Sequence, residues 1–295
     1  MFRRILVFML TNILVIATIG IVLNLLGVRP YLNANGIEYG QLMIFCLVWG
    51  MGGSFISLAM SKFMAKMAYR MQKLDEYDQR FGWVVASVNH FARSEGIKNP
   101  DVYVYDSPEV NAFATGPTRN SSLVAVSTGL LSTMSKDEVE GVLAHEVGHI
   151  SNGDMVTMAL AQGVLNAFVM FLSRVAAFAI SQALRSDDDE GPGLGGFAHY
   201  AIVMVLDILF GILSMPILMW FSRFREFRAD ALGAKLAGKQ KMISALERLK
   251  GATERIDNSR PNLAAFKISG KTSIARLFSS HPPLDERIDA LRNSY

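Results

Sequence analysis

Four apolar runs alternate with polar segments along the chain. The first occupies residues 5–26 and the second residues 40–60, with a short polar turn between them. The third and fourth, residues 155–184 and 197–221, flank an acidic, glycine-rich turn at residues 186–193. An apolar stretch of about 20 residues is long enough to cross the hydrocarbon core of a bilayer. The pattern therefore predicts two membrane-spanning hairpins.

The polar segments between these runs have the residue spacing of shorter helices and strands. Residues 81–95 have the spacing of a helix, which Gly96 ends. Residues 101–106, 111–116 and 122–127 are strand candidates, because β-branched and aromatic residues are bounded there by turn residues. The pattern predicts a small sheet in an otherwise helical chain.

These boundaries divide the chain into four parts. Residues 1–61 form the first hairpin, and residues 62–154 the first polar part. Residues 155–221 form the second hairpin, and residues 222–295 the second polar part. Polar residues inside the second hairpin leave an alternative open, a hairpin buried in a globular core. If it spans the bilayer, its polar residues should face the protein interior or a wet cavity; they are Asn166, Arg174 and Asp207.

Composition supports a membrane protein. Hydrophobic residues make up 51% of the chain, and the mean hydropathy is +0.28. A signal peptide is the competing interpretation of residues 5–26, but the run exceeds a usual signal sequence and no small-x-small cleavage site follows. The net charge of +3 is small and the basic residues lie beside apolar runs, so no nucleic-acid partner is expected. Cys46 is the only cysteine, which excludes an intramolecular disulfide.

The positive charges predict an orientation. Cytoplasmic flanks of membrane spans carry an excess of Lys and Arg. The loop within the first hairpin carries few charges, whereas the outer flanks of both hairpins are basic. Both chain ends and the polar parts are therefore expected in the cytoplasm. The flanking residues are Arg3, Arg4, Lys62, Lys66, Arg223 and Arg225.

A helix is predicted at residues 139–150, directly before the second hairpin. Ser135 and Glu138 have the spacing of a capping box, in which each side chain bonds the backbone amide of the other. Asn152 and Gly153 supply a stop.

This helix carries the pattern His-Glu-x-x-His. His145 and His149 are four residues apart and therefore share one face, where two imidazoles can hold one Zn²⁺. Glu146 can reach a water on that metal and act as a general base. The alternative, a helix that carries two histidines by chance, is disfavoured by the capped, amphipathic context.

A third ligand has to come from elsewhere in the chain. The extended motif with a further histidine is excluded, because Asn152 and Met155 stand at the positions it needs. Glu226 and Asp230 share one helix face, so Glu226 can complete the set and Asp230 can bond a ligand histidine. A solvated charged face explains the same spacing equally well. Asp154 is a rival ligand, but it lies so close to His149 that it is better placed to cap or buttress the site.

In combination these motifs resemble the HtpX family of membrane-bound zinc metalloproteases, relatives of the CAAX prenyl proteases. The resemblance covers nearly the whole chain, including the four apolar runs. The segments that carry it are His145-Glu146-Val147-Gly148-His149, Ser151-Asn152-Gly153-Asp154, Glu226-Phe227-Arg228-Ala229-Asp230, Asn111-Ala112-Phe113-Ala114-Thr115-Gly116 and Ser280-His281-Pro282-Pro283.

The resemblance implies an α-helical integral membrane protein with a mainly helical, zincin-like protease domain that carries a small β-sheet. It implies one Zn²⁺ per chain, held by His145, His149 and Glu226, with Glu146 as catalytic base. It also implies an enzyme of the bacterial cytoplasmic (inner) membrane, acting in stress response and protein quality control on misfolded or damaged membrane proteins. The polar parts at residues 62–154 and 222–295 then form the protease domain.

Further residues have candidate roles in this chemistry. His281 is a candidate donor to the oxyanion, although a lone histidine is more often structural. The strand with Asn111, Ala112, Phe113 and Ala114 is a candidate binding site for extended substrate, through backbone pairing. Alternatively, Asn111 is a turn residue that has no part in substrate binding. His90 and His199 have no partner motif and are expected to be structural.

Two other classes of function remain open on sequence. A membrane channel or transporter would use the polar residues of the second hairpin and keep zinc as a structural ion. A binding chaperone would need no Glu146. A structural zinc site has four protein ligands and a catalytic one has three, so the number of ligands separates these classes.

Overall fold

The computed structural model describes residues 38–184, 196–259 and 279–294, with backbone only for residues 252–259. The predicted span at residues 5–26 and the acidic turn at residues 186–193 lie outside the described residues. In chain order the elements are α1 (Tyr39–Tyr69), β1 (Gln72–Lys73), α2 (Gly82–Ser94), β2 (Asp101–Tyr105), β3 (Ala112–Thr118), β4 (Ser121–Ser127), α3 (Thr128–Thr133), α4 (Lys136–Asn152), α5 (Asp154–Ala183), α6 (Gly196–Ala237), α7 (Lys239–Ser259) and α8 (Leu284–Asn293).

Three helices, α1, α5 and α6, are long and apolar enough to cross a membrane. They contain the second, third and fourth predicted runs. The most apolar window of α6 has no buried residue among the described part of the chain, and that of α5 is 28% buried. A hairpin buried in a globular core would bury these side chains, so the exposed apolar surface favours the membrane-spanning alternative.

Contacts divide the chain into two compact units. One comprises residues up to Ser54 together with Leu160–Ser214, and the other comprises Phe55–Ala159 with the residues from Met215 onward. These boundaries fall inside α1, α5 and α6 rather than at the ends of the apolar runs, because each of these helices continues through the boundary.

In the first unit, α1 and α5 pack closely. A Cβ added to Gly50 would lie 2.5 Å from the backbone nitrogen of Ala167, so the glycine allows the two backbones to approach closely. The polar residues of the second hairpin are partly buried, as expected of residues that face the protein interior. Asn166 donates to Ser54, and Arg174 donates to the carbonyl of Met170 at 2.9 Å while lying 3.9 Å from Asp207.

The second unit contains a four-stranded sheet in the order β1-β2-β4-β3. The three predicted strands are confirmed. The two-residue strand β1 was not predicted, because its exposed Gln72 and Lys73 have no strand pattern. β2 and β4 are parallel, and the other pairs are antiparallel. β3 is an edge strand, so no strand of the described residues pairs with one side of its backbone.

The two faces of this sheet pack differently. Helices α2 and α4 cover one face and bury the main core, which includes Val84, Val88, Val102, Val124 and Leu143. On the other face, Tyr69 at the end of α1 contacts the rings of Tyr105 and Phe113, at centroid distances of 5.0 and 5.3 Å. Two lysines of this region, Lys62 and Lys73, bind the carboxylate of Asp101 at 2.9 and 2.8 Å. The last turns of α1 are thereby fixed to the sheet.

Candidate metal centre

The histidines lie on α4, whose ends are fixed by local contacts. The predicted capping box is present: the Ser135 hydroxyl accepts from the amide of Glu138, and the Glu138 carboxylate accepts from the amide of Ser135 at 2.6 Å. Gly153 ends the helix in the left-handed conformation, with φ of 68°, and donates its amide to the carbonyl of His149. His145 and His149 are therefore held on a well-defined helix with their rings on one side.

Three side chains converge beside α4. His145 Nε2 and His149 Nε2 lie 3.1 Å apart. Glu226 Oε1 is 3.3 Å from His149 Nε2, and Glu226 Oε2 is 3.6 Å from His145 Nε2. Within the described residues these three form the one group of His, Cys, Asp and Glu side chains close enough to hold a metal ion. The structure thus brings Glu226, and not Asp154, to the histidine nitrogens that face each other.

Glycines set the distance between α4 and α6. A Cβ on Gly148 would lie 3.0 Å from the carbonyl oxygen of Ala229, and a Cβ on Gly233 would lie 3.1 Å from the backbone nitrogen of His145. No side chain separates the two helices at these positions. This close approach allows the carboxylate of Glu226 on α6 to reach the histidines of α4.

His145 is supported by a carboxylate from α6. Its Nδ1 lies 2.8 Å from Asp230 Oδ1. Asp230 is in turn held by Arg287 of α8, whose Nε and Nη2 donate to the two carboxylate oxygens at 2.7 and 2.6 Å. Arg287 Nη1 also lies 3.3 Å from Glu226 Oε2. All four side chains are buried, so a cation from the last described helix neutralises two carboxylates of the site.

His149 is supported by a carboxylate from the start of the next helix. Its Nδ1 lies 2.7 Å from Asp154 Oδ2. The sequence predicts that Asp154, because it follows His149 so closely, caps or buttresses the site and does not bind the metal. The chain reverses at Gly153, and the carboxylate meets Nδ1 of His149 rather than Nε2. Asp154 therefore lies where the predicted buttress would lie.

The donor set fits a divalent cation. In the neutral form of each imidazole, the Nδ1 that faces a carboxylate carries the ring proton, and Nε2 is then free to bind a metal ion. A divalent cation between the two Nε2 atoms and the Glu226 carboxylate would supply the positive charge that this group of side chains favours. Zn–N bonds of about 2.0–2.1 Å in a tetrahedron place ligand atoms about 3.3 Å apart, and the three observed distances are 3.1, 3.3 and 3.6 Å.

The electrostatics of the site favour positive charge. Burial lowers the pKa of His149, but hydrogen bonds with Asp154 and Glu226 outweigh it and raise the pKa to about 10. The pKa of His145 is also raised, since Asp230 and Glu226 outweigh burial there. A field that binds protons this strongly also favours a metal cation.

Glu146 is buried beside the histidines, and burial raises the pKa of its carboxyl group. The backbone of Ala114 in β3 forms a hydrogen bond with this carboxylate. Glu146 also lines a cavity of about 320 Å³ that includes Asn111, Ala112 and His281. The candidate base, the edge strand and the metal-binding group therefore meet at one cavity.

The other predicted residues fall into two sets. His281 is exposed, and its Nδ1 lies 2.8 Å from Glu226 Oε2, so it contacts a candidate ligand directly. Asn111 lies just before β3, where its carbonyl accepts from the amide of Ser127 at 3.0 Å and its amide donates to the Ser127 hydroxyl at 3.1 Å. Neither His90 nor His199 is a member of the metal-binding group, and His199 contacts Ser181.

The sequence analysis missed Arg287. A signal was available, because Leu284, Ile288 and Leu291 form an apolar stripe on α8 and Arg287 falls within it. A charged residue on the buried face of an amphipathic helix requires a buried partner. The identity of that partner, Asp230, depends on packing that spacing alone does not give.

The chain matches a known enzyme family over most of its length. Residues 78–295 match peptidase family M48. The region includes β2, β3 and β4 of the sheet, the α4 histidines, Glu226 and Arg287.

Curated relatives match over the whole chain. Protease HtpX of Chromohalobacter salexigens is 51% identical over 295 residues, which cover 99% of this chain and 98% of the relative. Protease HtpX of Aeromonas hydrophila is 53% identical over 293 residues, which cover 98% and 99% of the two chains. Among solved structures, the crystal structure of S. mikatae Ste24p has a TM-score of 0.61 at 20% identity, covering 97% of this chain and 67% of that one, and shows a shared fold. The chain therefore belongs to peptidase family M48, in the HtpX group of proteases, and is a membrane metallopeptidase.

Proposed function

We propose that this metallopeptidase is a zinc-dependent endopeptidase of the bacterial inner membrane that cleaves misfolded or damaged membrane proteins during stress. The observation that carries the proposal is the convergence of His145, His149 and Glu226 beside a buried Glu146, at the open edge of a sheet.

The metal is Zn²⁺, held by Nε2 of His145, Nε2 of His149 and the carboxylate of Glu226. Nitrogen and oxygen donors at these distances suit zinc, and the three protein ligands found among the described residues are typical of a catalytic rather than a structural site. Zn²⁺ bound there supplies a Lewis acid that polarises the substrate carbonyl and lowers the pKa of water. Asp230 and Asp154 hold the two imidazoles in the tautomer that offers Nε2.

Glu146 is the proton-transfer group. Its carboxylate accepts a proton from the attacking water and donates it to the leaving amine. The hydrogen bond with the backbone of Ala114 orients this carboxylate toward the strand that binds substrate. Developing negative charge on the carbonyl oxygen needs a donor, and His281 is the candidate at the cavity. Because His281 Nδ1 lies 2.8 Å from Glu226, the donor role requires its ring to turn or to use Nε2.

The edge strand β3 selects extended substrates. The carbonyl of Asn111 accepts from the amide of Ser127 of β4, so alternation along the antiparallel pair turns the backbone groups of Ala112 and Ala114 away from β4. The amide of Ala114 bonds Glu146, and the other groups are available to a substrate. A peptide that adds there as a strand is held by backbone hydrogen bonds, which do not depend on its sequence. A folded protein offers few extended segments, whereas a misfolded one offers many.

The position of Glu226 along α6 supports membrane-protein substrates. It lies five residues beyond the apolar run at residues 197–221 on the same continuous helix, a rise of about 8 Å. A cleavage site at this height suits chain segments that emerge from the bilayer. The basic flanks support a cytoplasmic location for this side of the membrane, and reporter fusions at Tyr295 and within residues 186–193 test that orientation. A reporter at Tyr295 that is active only outside the cytoplasm contradicts it.

Glu146→Gln tests the mechanism. The variant is expected to keep its zinc and to lose peptide cleavage, because Glu146 transfers protons and is not a ligand. Zinc content and cleavage of an unfolded membrane-protein substrate are measured on the same purified, full-length sample. Cleavage at the wild-type rate contradicts the mechanism, and loss of zinc assigns Glu146 a structural role instead.

A further inference from the structure

The cavity beside the metal-binding group has two chemically different ends. One end carries His145, Glu146 and Glu226. The rest of the lining has three more polar residues, Asn111, His281 and Arg287, and a larger apolar part that includes Leu130, Val142, Met242, Ala245, Leu246 and Leu249. At about 320 Å³, the cavity lies at the lower end of the volume range of small-ligand sites and has room for one large side chain.

Two helices build the apolar end. Met242, Leu246 and Leu249 follow one another at spacings of four and three along α7, so they form a single stripe that faces the cavity. Val142 lies one helical turn before Glu146 on α4. The apolar wall therefore begins within one turn of the residue assigned to proton transfer, and a side chain in the cavity belongs to a residue next to the scissile bond.

Arg287, the guanidinium of the cavity lining, is already paired. Arg287 donates to both oxygens of Asp230 and lies 3.3 Å from Glu226, which in turn faces the histidines. None of the lining residues of the apolar end carries a charge. A charged substrate side chain placed there would lose its hydration without gaining a partner, whereas an apolar one would be transferred favourably out of water.

We propose that this cavity is a specificity subsite for a large apolar side chain, such as Leu, Met or Phe, at one of the two residues that adjoin the scissile bond. The inference rests on the proposed endopeptidase function and deepens it. The edge strand holds any extended backbone, and the cavity then selects segments with an exposed large apolar residue. Misfolded membrane proteins expose such residues, so both features act in the same direction.

Quenched fluorescent peptides of one scaffold test the subsite with the zinc-loaded, full-length protein in detergent. Each position next to the cleavage site is varied separately through Leu, Met, Phe, Ala, Ser, Asp and Lys, and mass spectrometry confirms the cut. At one position, kcat/KM for Leu is expected to exceed that for Ala at least about tenfold, since each buried methylene contributes about tenfold or more. The peptides with Asp or Lys there are expected to be cleaved more slowly still.

A matched pair of variants links the preference to the cavity. Leu249 and Leu131 are both half-buried and pack against the same core, but Leu249 lines the cavity and Leu131 does not. Leu249→Glu is expected to reduce the ratio of Leu to Lys peptides at least about tenfold by adding a charge to the wall. Leu131→Glu is expected to keep the wild-type ratio. If Leu249→Glu does not bind zinc, Leu249→Ala is tested in its place. Because this change enlarges the cavity, the variant is expected to shift its substrate preference from the Leu peptide toward the Phe peptide.

The outcomes separate this inference from the proposed function. Cleavage of the Leu, Ser and Asp peptides at equal rates, with both positions tested, overturns the subsite and leaves the endopeptidase intact. An equal change of preference in the Leu249 and Leu131 variants also overturns it. Failure of the zinc-loaded wild type to cleave any peptide or any unfolded membrane protein counts against the proposed function itself.

Discussion

Each of the two histidines of α4 is supported by an aspartate, but one aspartate is close to its histidine in sequence and the other is distant. Each Nδ1 faces an aspartate, at 2.8 Å for His145 and 2.7 Å for His149. Asp154 follows His149 by five residues, and the left-handed Gly153 brings it back. Asp230 comes from α6 and is held in place by Arg287 of α8. One support is local, and the other requires three helices to assemble.

The difference lies in how each aspartate is neutralised. Asp154 is the first residue of α5, where the helix dipole favours negative charge, and Arg225 is 3.9 Å away. Asp230 has Arg287 at 2.6 and 2.7 Å, and both are almost completely buried. Removing one member of a buried ion pair leaves the other charge without a partner. The His145 side of the site is therefore expected to be the more sensitive of the two.

The largest effect is expected from Glu226→Gln, which removes the group that contacts both histidines. The zinc affinity of this variant is expected to fall by more than the roughly 10–100-fold that is typical when a hydrogen-bond partner of a ligand is removed. Activity is expected to be lost together with the metal. Asp154→Asn is the matched change on the local side and is expected to keep most of its zinc. Zinc content after dialysis against a weak chelator measures both. An empty Asp154→Asn site with a loaded Glu226→Gln site would reverse the ligand assignment.

The next effect compares the two arginines. Arg287→Met is expected to destabilise the protein by about 3–5 kcal/mol, because Asp230 and Glu226 are left buried with less positive charge. Arg225→Met is expected to have a smaller effect, because Asp154 keeps its bond to His149. Thermal midpoints of the full-length protein in detergent, with zinc and with chelator, measure the difference. Arg287→Lys should recover part of the loss, since one ammonium cannot reproduce both bonds. Equal thermal midpoints for Arg287→Met and Arg225→Met would contradict the expectation that the His145 side of the site is the more sensitive one.

A smaller effect is expected when the aspartates themselves are changed. Asp230→Asn is expected to weaken zinc binding by about 10–100-fold, with an added loss of stability because Arg287 keeps a buried charge without its carboxylate. Asp154→Asn is expected to weaken zinc binding toward the lower end of that range. Competition with a chromogenic chelator gives the two affinities. A stronger loss in Asp154→Asn would show that the local support is the more important one.

The smallest effect is expected for a carboxylate far from the site. Burial raises the pKa of Asp101, but hydrogen bonds from Lys73 and Lys62 outweigh it and lower the pKa to about 2. Because this folded-state pKa is below the ordinary value of 3.8, the pair stabilises the protein above about pH 4, and the contribution is lost as pH falls toward 2. Asp101→Asn is expected to cost at most about 1 kcal/mol at pH 7, because the pair is partly exposed. The gap between the thermal midpoints of variant and wild type should shrink on acidification, and a constant gap would exclude the ion pair as its cause.

The same contrast explains which parts of the site could be predicted. Contacts within a few residues follow from spacing, so the capping box, the shared face of the histidines and the position of Asp154 were accessible from sequence. The common face of Glu226 and Asp230 was also accessible, but spacing alone did not separate it from a solvated face. The family resemblance supplied that choice.

Contacts between distant elements could not be predicted in this way. Arg287 reaches Asp230 only because α8 packs beside α6, and no local rule gives that packing. The apolar cavity is built from the β3 region, α3, α4, α7 and the start of α8, each with an ordinary amphipathic pattern. The strand β1 pairs with β2 through two exposed residues that have no strand signal of their own.

The close approach of α4 and α6 has a consequence for reading sequence variants. The distance between the histidines and Glu226 depends on Gly148 and Gly233, whose lack of a side chain lets the two helix backbones approach closely. A methyl group at Gly148 has to move the backbone at Ala229 by a few tenths of an ångström, and Ala229 is three residues from Glu226 on the same helix. Glycine-to-alanine changes at these two positions therefore belong with ligand substitutions when natural variants are sorted by their effect on metal binding, although neither residue has a side chain.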